Sequence, residues 1–173
     1  GAGVVNGEHQ RPGARAGEAS RAGVVSRGSL LLNAVAPSLF SADASGKGWA
    51  AAEVVRVLSN GQQIGEPTVR YDPGENKFVA VPIDLGPERG KDSDRVFLTL
   101  YGTGIRQRAE VSHVKVKIGE LFVPAAYAGP QSEFAGLDQI NVLLPRNLLG
   151  RGEVSLEVIV AGQSSNTVKV QIR

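Results

Sequence analysis

The clearest pattern along the chain is an alternation of aliphatic and polar residues in its second half. Val114, Val116 and Ile118 alternate with Lys115 and Lys117. A period of two places successive side chains on opposite faces of a strand, so this pattern predicts a half-buried β-strand. Apolar runs of similar length, several of them alternating, predict further strands at residues 96–101, 121–127, 140–144, 154–161 and 168–172.

The first half of the chain has weaker patterning but clear turn signals. The segment 49–58 contains alanines and a glutamate that allow a helix, but its three valines favour a strand. Asn60-Gly61 follows it directly and is typical of a hairpin turn. Asp72-Pro73-Gly74 marks a second turn. These signals predict two hairpins, with strands at 49–58, 69–71 and 77–83.

The N-terminal segment, residues 1–28, is rich in Gly, Ala and Arg and has almost no large apolar side chain. Such a segment cannot bury enough surface to offset its ordering entropy, so we expect an arm that is flexible or that a partner orders. The apolar run after it predicts a strand containing Leu30, Leu31, Leu32 and Val35. This strand has no module of its own, so we predict that it pairs with the sheet edge of a neighbouring copy.

Many short strands separated by turns, without a long amphipathic helix, predict an all-β fold. We expect an immunoglobulin-like β-sandwich over residues 29–173, preceded by the extended N-terminal arm. The patterning leaves open whether this region is one body or two lobes, 29–94 and 95–173.

The composition narrows the function classes. The chain has 173 residues with 19 basic and 17 acidic side chains, and no cysteine. Without cysteine, a disulfide framework, thiolate chemistry and zinc–cysteine sites are excluded. The charges are mixed and have no basic stripe, which argues against nucleic-acid binding. The longest apolar runs fall short of the roughly 18 residues that a membrane-spanning helix needs.

Four stretches spread over residues 37–173 resemble a known family. They are Pro37-Ser38-Leu39-Phe40 with Gly46-Lys47-Gly48, then Leu100-Tyr101-Gly102-Thr103-Gly104, the run Gly136-Leu137-Asp138-Gln139-Ile140-Asn141-Val142 that leads to Pro145, and Ser165-Asn166. They are similar to the uncharacterised C-terminal domain of secreted proteins from Solibacter-type soil acidobacteria. The part from Arg95 onward also resembles immunoglobulin-like domains of transcription-factor and plexin type.

This resemblance implies an extracellular β-sandwich that is usually attached to propellers or other repeats. It implies no activity and no catalytic residues. The chain departs from the family pattern at Ser38, where Gly is usual, and in a longer insertion over residues 69–94. The module that usually precedes the domain is also absent, which leaves its normal context open.

Candidate catalytic and metal-binding residues are few. His9 and His113 are the two histidines, and no Gly-x-Ser-x-Gly motif accompanies them, so we expect neither a Ser-His-Asp triad nor a cofactor. Asp92-Ser93-Asp94 and Asp43-Ala44-Ser45 offer oxygen ligands for calcium, but aspartates that cap turn amides explain both sequences more simply.

Candidate ligand-binding residues are Trp49 and the polar set Asp138, Gln139 and Asn141. The polar set predicts either a binding edge for sugar hydroxyls or side chains that satisfy backbone groups at a corner, and we favour the second. Asn166 is interpreted as a turn residue. The aromatic residues Trp49, Tyr71, Tyr101 and Tyr127 predict either a carbohydrate-stacking platform or, as we favour, packing in the core or at its rim.

Two functions follow from these expectations. The first is a non-enzymatic extracellular or cell-surface module, structural or adhesive, that assembles into filaments by adding its N-terminal strand to a neighbouring subunit. The alternative is a carbohydrate- or ligand-binding accessory domain of a larger secreted protein. We expect no enzymatic activity.

Overall fold

The computed structural model describes residues 14–21, 24–31, 35–87, 93–106 and 110–173. Regular structure is almost entirely β, and the chain divides into two compact units, residues 1–34 and 35–173. Within the described residues, no helix is long and apolar enough to cross a membrane.

The first unit contains an antiparallel hairpin. Strand β1 covers Ala14–Arg21 and strand β2 covers Val24–Leu31, with Ala14 opposite Leu31 and Arg21 opposite Val24. Only two residues connect the strands, so the entropy of closing the loop is small and local pairing needs no large side chain.

This hairpin differs from the single strand that we expected over Leu30–Val35. Leu30 and Leu31 end strand β2, where they lie opposite Arg15 and Ala14. Leu32 lies outside the described residues, whereas Val35 is 7% exposed and belongs to the core of the second unit. The expected boundary after residue 28 falls inside β2, and the division between the units follows Ala34.

The second unit contains thirteen strands among its described residues. In chain order they are β3 (Ser38–Leu39), β4 (Ala52–Val57), β5 (Gln63–Pro67), β6 (Val69–Asp72), β7 (Lys77–Ala80), β8 (Arg95–Thr103), β9 (Val114–Ile118), β10 (Leu121–Pro124), β11 (Tyr127–Pro130), β12 (Asp138–Leu143), β13 (Gly152–Val160), β14 (Gln163–Ser164) and β15 (Val168–Ile172). Short 3₁₀ turns cover Val111–His113 and Arg146–Leu148.

These strands form a β-sandwich and one separate hairpin. The first sheet has the order β11-β12-β8-β4-β5, with β3 also paired to β8. The second sheet has the order β10-β9-β13-β15, with β14 on β13. The remaining pair, β6 and β7, is a two-stranded sheet of its own. Because β4 pairs with β8 over six residues, the segments before and after residue 94 share one sheet.

The strand order is that of an immunoglobulin sandwich. In that fold one sheet contains strands A, B, E and D, and the other contains C, F and G with C′ added in variable-type domains. In the first sheet, the A, B, E and D positions are occupied by β4, β8, β12 and β11. In the second sheet, the C′, C, F and G positions are occupied by β10, β9, β13 and β15. Chain order follows the same letters, so the expected fold class is confirmed.

The core lies between the two sheets and confirms the alternating pattern. Val114, Val116 and Ile118 are each 0% exposed, whereas Lys115 faces solvent. Strands β8 and β12 contribute buried aliphatic side chains from the other sheet to the same cluster, among them Leu98, Leu100, Ile140 and Val142. Each such side chain stabilises the fold by about 1.5–3 kcal/mol relative to exposure.

Both predicted turns close hairpins, but the first joins β4 to β5, a strand that was not predicted, and not to the segment 69–71. Gly61 has a φ of 85°, and the Asn60 side chain accepts a hydrogen bond from the Gln62 amide in the turn between β4 and β5. In the turn between β6 and β7, the Asp72 carboxylate accepts a hydrogen bond of 3.0 Å from the Gly74 amide. These are the turn roles expected of Asn, Asp and Gly.

Candidate functional site

An open cleft beside the second sheet is bordered by three aromatic side chains. Trp49 lies on one side, and Tyr71 and Phe78 from the β6–β7 hairpin lie on the other. The cleft measures about 480 Å³. We call it the aromatic cleft, and its polar lining consists of Asp43, Asn76 and Lys77.

The Trp49 side of the cleft is attached to the last strand of the sandwich. The Ala50 amide donates to the carbonyl of Lys169 at 2.9 Å, and the Lys169 amide donates to the carbonyl of Gly48 at 2.8 Å. The segment around Trp49 therefore runs parallel to β15 and covers its free edge. This pairing fixes the backbone that presents the indole ring.

Lys169 also holds the ring itself. Its ammonium lies 4.5 Å from the centroid of the Trp49 ring, a cation–π contact worth about 0.5–1 kcal/mol at an exposed site. The same ammonium bonds the Glu153 carboxylate at 3.0 Å.

The opposite side of the cleft is the β6–β7 hairpin. Tyr71 and Phe78 lie opposite each other in its register and meet edge to face, with centroids 5.5 Å apart and planes at 70°. The Tyr71 hydroxyl donates to the Asn76 side-chain oxygen. Asn76 has a φ of 51°, a conformation that Asn tolerates better than most residues. Tyr71 is 50% exposed, so its ring remains accessible.

The Asp43 carboxylate in the cleft stays ionised even at pH values well below neutral. Hydrogen bonds from the hydroxyls of Ser41 and Ser45, both at 2.7 Å, lower the pKa of Asp43 to about 2. The Ser45 amide donates to the same oxygen. One carboxylate oxygen thus organises the turn, as the simpler explanation of Asp43-Ala44-Ser45 requires.

The structure divides the aromatic and polar candidates between two surfaces. Trp49 and Tyr71 meet at the aromatic cleft. Tyr101 and Tyr127 lie instead on the outer face of the first sheet, opposite Gln139 and Asn141 respectively. There the Gln139 amide donates to the Asn141 side-chain oxygen at 2.8 Å. Trp49 and the polar set therefore do not form one site.

Asp138 lies on neither surface but faces the core. It is 0% exposed, because it occupies an inward-facing position between the outward Gln139 and the preceding loop. Its carboxylate accepts hydrogen bonds from the Ile105 amide at 2.8 Å and from Arg106 Nε at 2.6 Å. A buried carboxylate requires such partners, so Asp138 holds the loop after β8.

The stretches that carry the family resemblance also contact each other. A Cβ atom at Gly102 would lie 2.2 Å from the Ser38 carbonyl oxygen, so only glycine lets β3 approach β8 this closely. The Asn166 side chain bonds both backbone groups of Leu39 and the carbonyl of Gly46. Asn166 is therefore more than a turn residue: these residues hold the sandwich together.

Of the remaining candidates, the structure describes His113 and Asp94. His113 is exposed in its 3₁₀ turn. Asp94 lies 3.6 Å from the Arg56 guanidinium, and Asp92 falls outside the described residues, as does His9. Among the residues that the structure describes, no group of three or more His, Cys, Asp or Glu side chains could hold a metal ion.

A larger cleft of about 590 Å³ lies beside Arg95 and Arg146. Two of its charged groups have partners within the protein, because Arg146 donates to the carbonyls of Gly86 and Pro87 and Asp94 faces Arg56. None of the described residues that line it is aromatic. The aromatic cleft is therefore the stronger candidate.

Comparisons with known proteins do not identify the site, so its interpretation rests on its geometry. No family model matches the chain, and no curated protein and no solved structure matches it. The family resemblance thus remains a prediction.

Two cleft residues, Asn76 and Phe78, were not identified from the sequence. The signal was present in the Asp72-Pro73-Gly74 turn. A hairpin closed at that turn pairs Asp72 with Lys77. The next pair along the two strands is then Tyr71 with Phe78. Cross-strand aromatic pairs of this kind stabilise isolated hairpins.

Proposed function

We propose that the chain is a non-enzymatic, extracellular adhesion module that binds a polysaccharide in the aromatic cleft. The observation that supports this most directly is the juxtaposition of Trp49 with the Tyr71–Phe78 pair around a cleft that also contains an ionised carboxylate.

The chemistry of the cleft matches that of a sugar ring. Aromatic faces pack against the apolar C–H face of a pyranose, while polar side chains fix its hydroxyl groups. Trp49 offers the packing surface, and Asp43 and Asn76 offer hydrogen-bonding groups at the same opening. Because Asp43 stays charged down to about pH 2, it accepts hydrogen bonds from hydroxyls under all ordinary conditions.

The pKa values of Asp43 and Tyr101 favour a binding function over a catalytic one. A general acid or base works best with a pKa near the working pH. The pKa of Asp43 is lowered to about 2 and that of Tyr101 is raised to about 12, so neither group changes its protonation state near neutral pH.

The extracellular location rests on the resemblance to secreted acidobacterial domains. The insertion over residues 69–94, in which the chain departs from that family, contains the β6–β7 hairpin. Its extra length supplies Tyr71 and Phe78, and this is consistent with a binding function added to an otherwise structural domain.

Affinity gel electrophoresis tests the proposal. The full chain is run through native gels that contain dextran, xylan, galactomannan or hydroxyethyl cellulose. We expect at least one polymer to retard it, and we expect Trp49→Ala to weaken the retardation about tenfold, or ~1.4 kcal/mol. Phe122→Ala is the matched control, since Phe122 is 59% exposed on β10 and outside the cleft. Unretarded migration in all four gels would refute the proposal.

Self-association is the second candidate function. An isolated two-stranded hairpin such as β1–β2 is only marginally stable in water, and a further strand would stabilise it. Strand β5 forms an edge of the first sheet, and four of its five residues are exposed, which suits strand addition by a second copy. Light scattering with and without residues 1–34 tests this, and the cut follows Ala34 because Val35 is buried. Identical monomers in both cases would remove the idea.

A further inference from the structure

A second cleft of the same size lies on the outer face of the first sheet. It measures about 480 Å³ and lies between the sheet and the loop that precedes β12. Its sheet residues are Glu53, Tyr101 and Gln139, and its main loop residues are Gln131, Glu133 and Phe134. We call it the outer-face cleft.

The outer-face cleft shares two features with the aromatic cleft. In each, a tyrosine hydroxyl donates to a side-chain oxygen, Tyr71 to Asn76 in the first and Tyr101 to Glu53 at 2.6 Å in the second. This bond fixes the ring. Each cleft also contains an exposed aromatic ring, and Phe134 is 62% exposed in the second.

Hydrogen-bonding groups surround the ring in the outer-face cleft. Gln139 is oriented by its bond to Asn141, and the Gln131 side-chain oxygen accepts from the Glu133 and Phe134 amides, which shapes the loop. Glu53 and Glu133 are both exposed. Such alternation of rings with amide and carboxylate groups suits a polyhydroxylated ligand better than the apolar surface of a protein partner, whose contact residues would need a largely nonpolar centre.

The two clefts share no lining residue and border different sheets of the sandwich. Val168 and Val170 face the core, so Lys169 between them points outward from the second sheet, where it meets Trp49. Leu100 and Gly102 are buried, so Tyr101 between them points outward from the first sheet. One molecule can therefore contact two separate chains of a polymer.

We propose that the outer-face cleft is a second glycan-binding site and that the chain bridges two polysaccharide strands. The inference rests on the proposed function of the aromatic cleft and adds bivalency to it. Two sites on one body convert weak single contacts into a stable cross-link, because the second contact forms at high effective concentration.

The test compares binding with cross-linking for the full chain. Retardation in gels of dextran, xylan, galactomannan and hydroxyethyl cellulose reports binding, and light scattering of mixtures with the polymer that retards the chain reports cross-linked particles. The variants are Trp49→Ala, Phe134→Ala and Gln139→Ala, with Phe122→Ala as control. Phe134 and Phe122 form a matched pair, at 62% and 59% exposure.

We expect Phe134→Ala and Gln139→Ala to weaken retardation about threefold to tenfold and to abolish cross-linking. We expect Trp49→Ala, which alters the aromatic cleft, to weaken retardation and to abolish cross-linking as well. Combining Trp49→Ala with Gln139→Ala should abolish retardation. Far-ultraviolet spectra and thermal unfolding confirm that each variant is folded.

Each other outcome has a distinct meaning. If Phe134→Ala and Gln139→Ala match the unmodified chain in both assays while Trp49→Ala abolishes binding, the outer-face cleft is not a site and the proposed function stands. If no polymer retards the chain, both proposals are refuted. Particles that form in the protein sample before polymer is added would identify self-association as the source of cross-linking and overturn the bivalent interpretation.

Discussion

The side chain of Asn166 forms both backbone hydrogen bonds of Leu39. Its oxygen accepts from the Leu39 amide at 2.7 Å, and its nitrogen donates to the Leu39 carbonyl at 2.9 Å. The carboxamide thus replaces a strand beside β3, and it also donates to the carbonyl of Gly46 at 2.7 Å. This one residue connects the start of the second unit to the turn before its last strand.

Asn166→Ala should therefore destabilise the sandwich strongly. It removes the partners of the Leu39 amide and carbonyl, and Leu39 is 1% exposed. At about 1 kcal/mol per lost bond and more for a buried unsatisfied group, we expect a loss of ~2–4 kcal/mol in urea unfolding. Asn147→Ala, at an exposed position, is the control and should change stability by less than about 0.5 kcal/mol. Equal midpoints for both variants would contradict the assigned role.

Gly102→Ala tests the close approach of β3 to β8. The added Cβ would lie 2.2 Å from the Ser38 carbonyl oxygen, so one of the strands must shift. We expect a loss of more than ~3 kcal/mol or failure to fold, measured by thermal unfolding. Gly65→Ala in β5 is the matched control, because a Cβ there meets nothing within 4 Å. A Gly102→Ala variant as stable as Gly65→Ala would show that the strands separate without cost.

Most longer strands of the second unit were predictable because their signal is local, whereas β3, β5, β11 and β14 were not predicted. The alternation of Val114, Val116 and Ile118 with lysines follows from one buried face, and the turn at Asn60-Gly61 follows from backbone preferences. Neither depends on distant parts of the chain. The same reasoning did not identify the hairpin β1–β2, because pairing across a two-residue connection needs few apolar side chains.

The two clefts were not predictable, because distant segments build them. Trp49 reaches the aromatic cleft through parallel pairing with Lys169, and nothing in the sequence near either residue indicates that contact. Tyr101 and Gln139 become neighbours only through the register of β8 and β12. Scattered aromatic residues therefore indicated rim packing in the sequence, whereas the sheet register sorts them into two groups.

The titration of Tyr101 provides a test of the outer-face cleft that needs no ligand. Burial, the hydrogen bond to Glu53 and the negative charges of Glu53 and Glu133 raise its pKa from 10.0 to about 12. The neutral phenol is favoured in the folded state, so this contribution to stability is complete below pH 10 and is lost as pH rises through about 12. Ultraviolet titration of the chain should show a late transition that belongs to Tyr101.

Glu53→Gln should move that late transition of Tyr101 to lower pH, because it removes the nearer charge and weakens the bond to the hydroxyl. Tyr101→Phe should remove the transition entirely. Glu157→Gln, on the outer face of the second sheet, is the control and should leave it unchanged. A titration curve of the unmodified chain without a late transition that Tyr101→Phe removes would rule out the described arrangement of Tyr101 and Glu53.

Trp49 is the single tryptophan of the chain, so its fluorescence reports the aromatic cleft directly. Lys169→Met keeps the apolar stem but removes the ammonium that lies 4.5 Å from the ring centroid. We expect the emission of Trp49 to shift and its response to a retarding polymer to weaken about threefold, in line with the loss of a contact worth ~0.5–1 kcal/mol. Lys115→Met, on an exposed position of β9, is the control. If both variants keep the emission spectrum and the polymer response of the unmodified chain, Lys169 does not position the ring, and the indole is held by the backbone pairing of Gly48 and Ala50 with β15 alone.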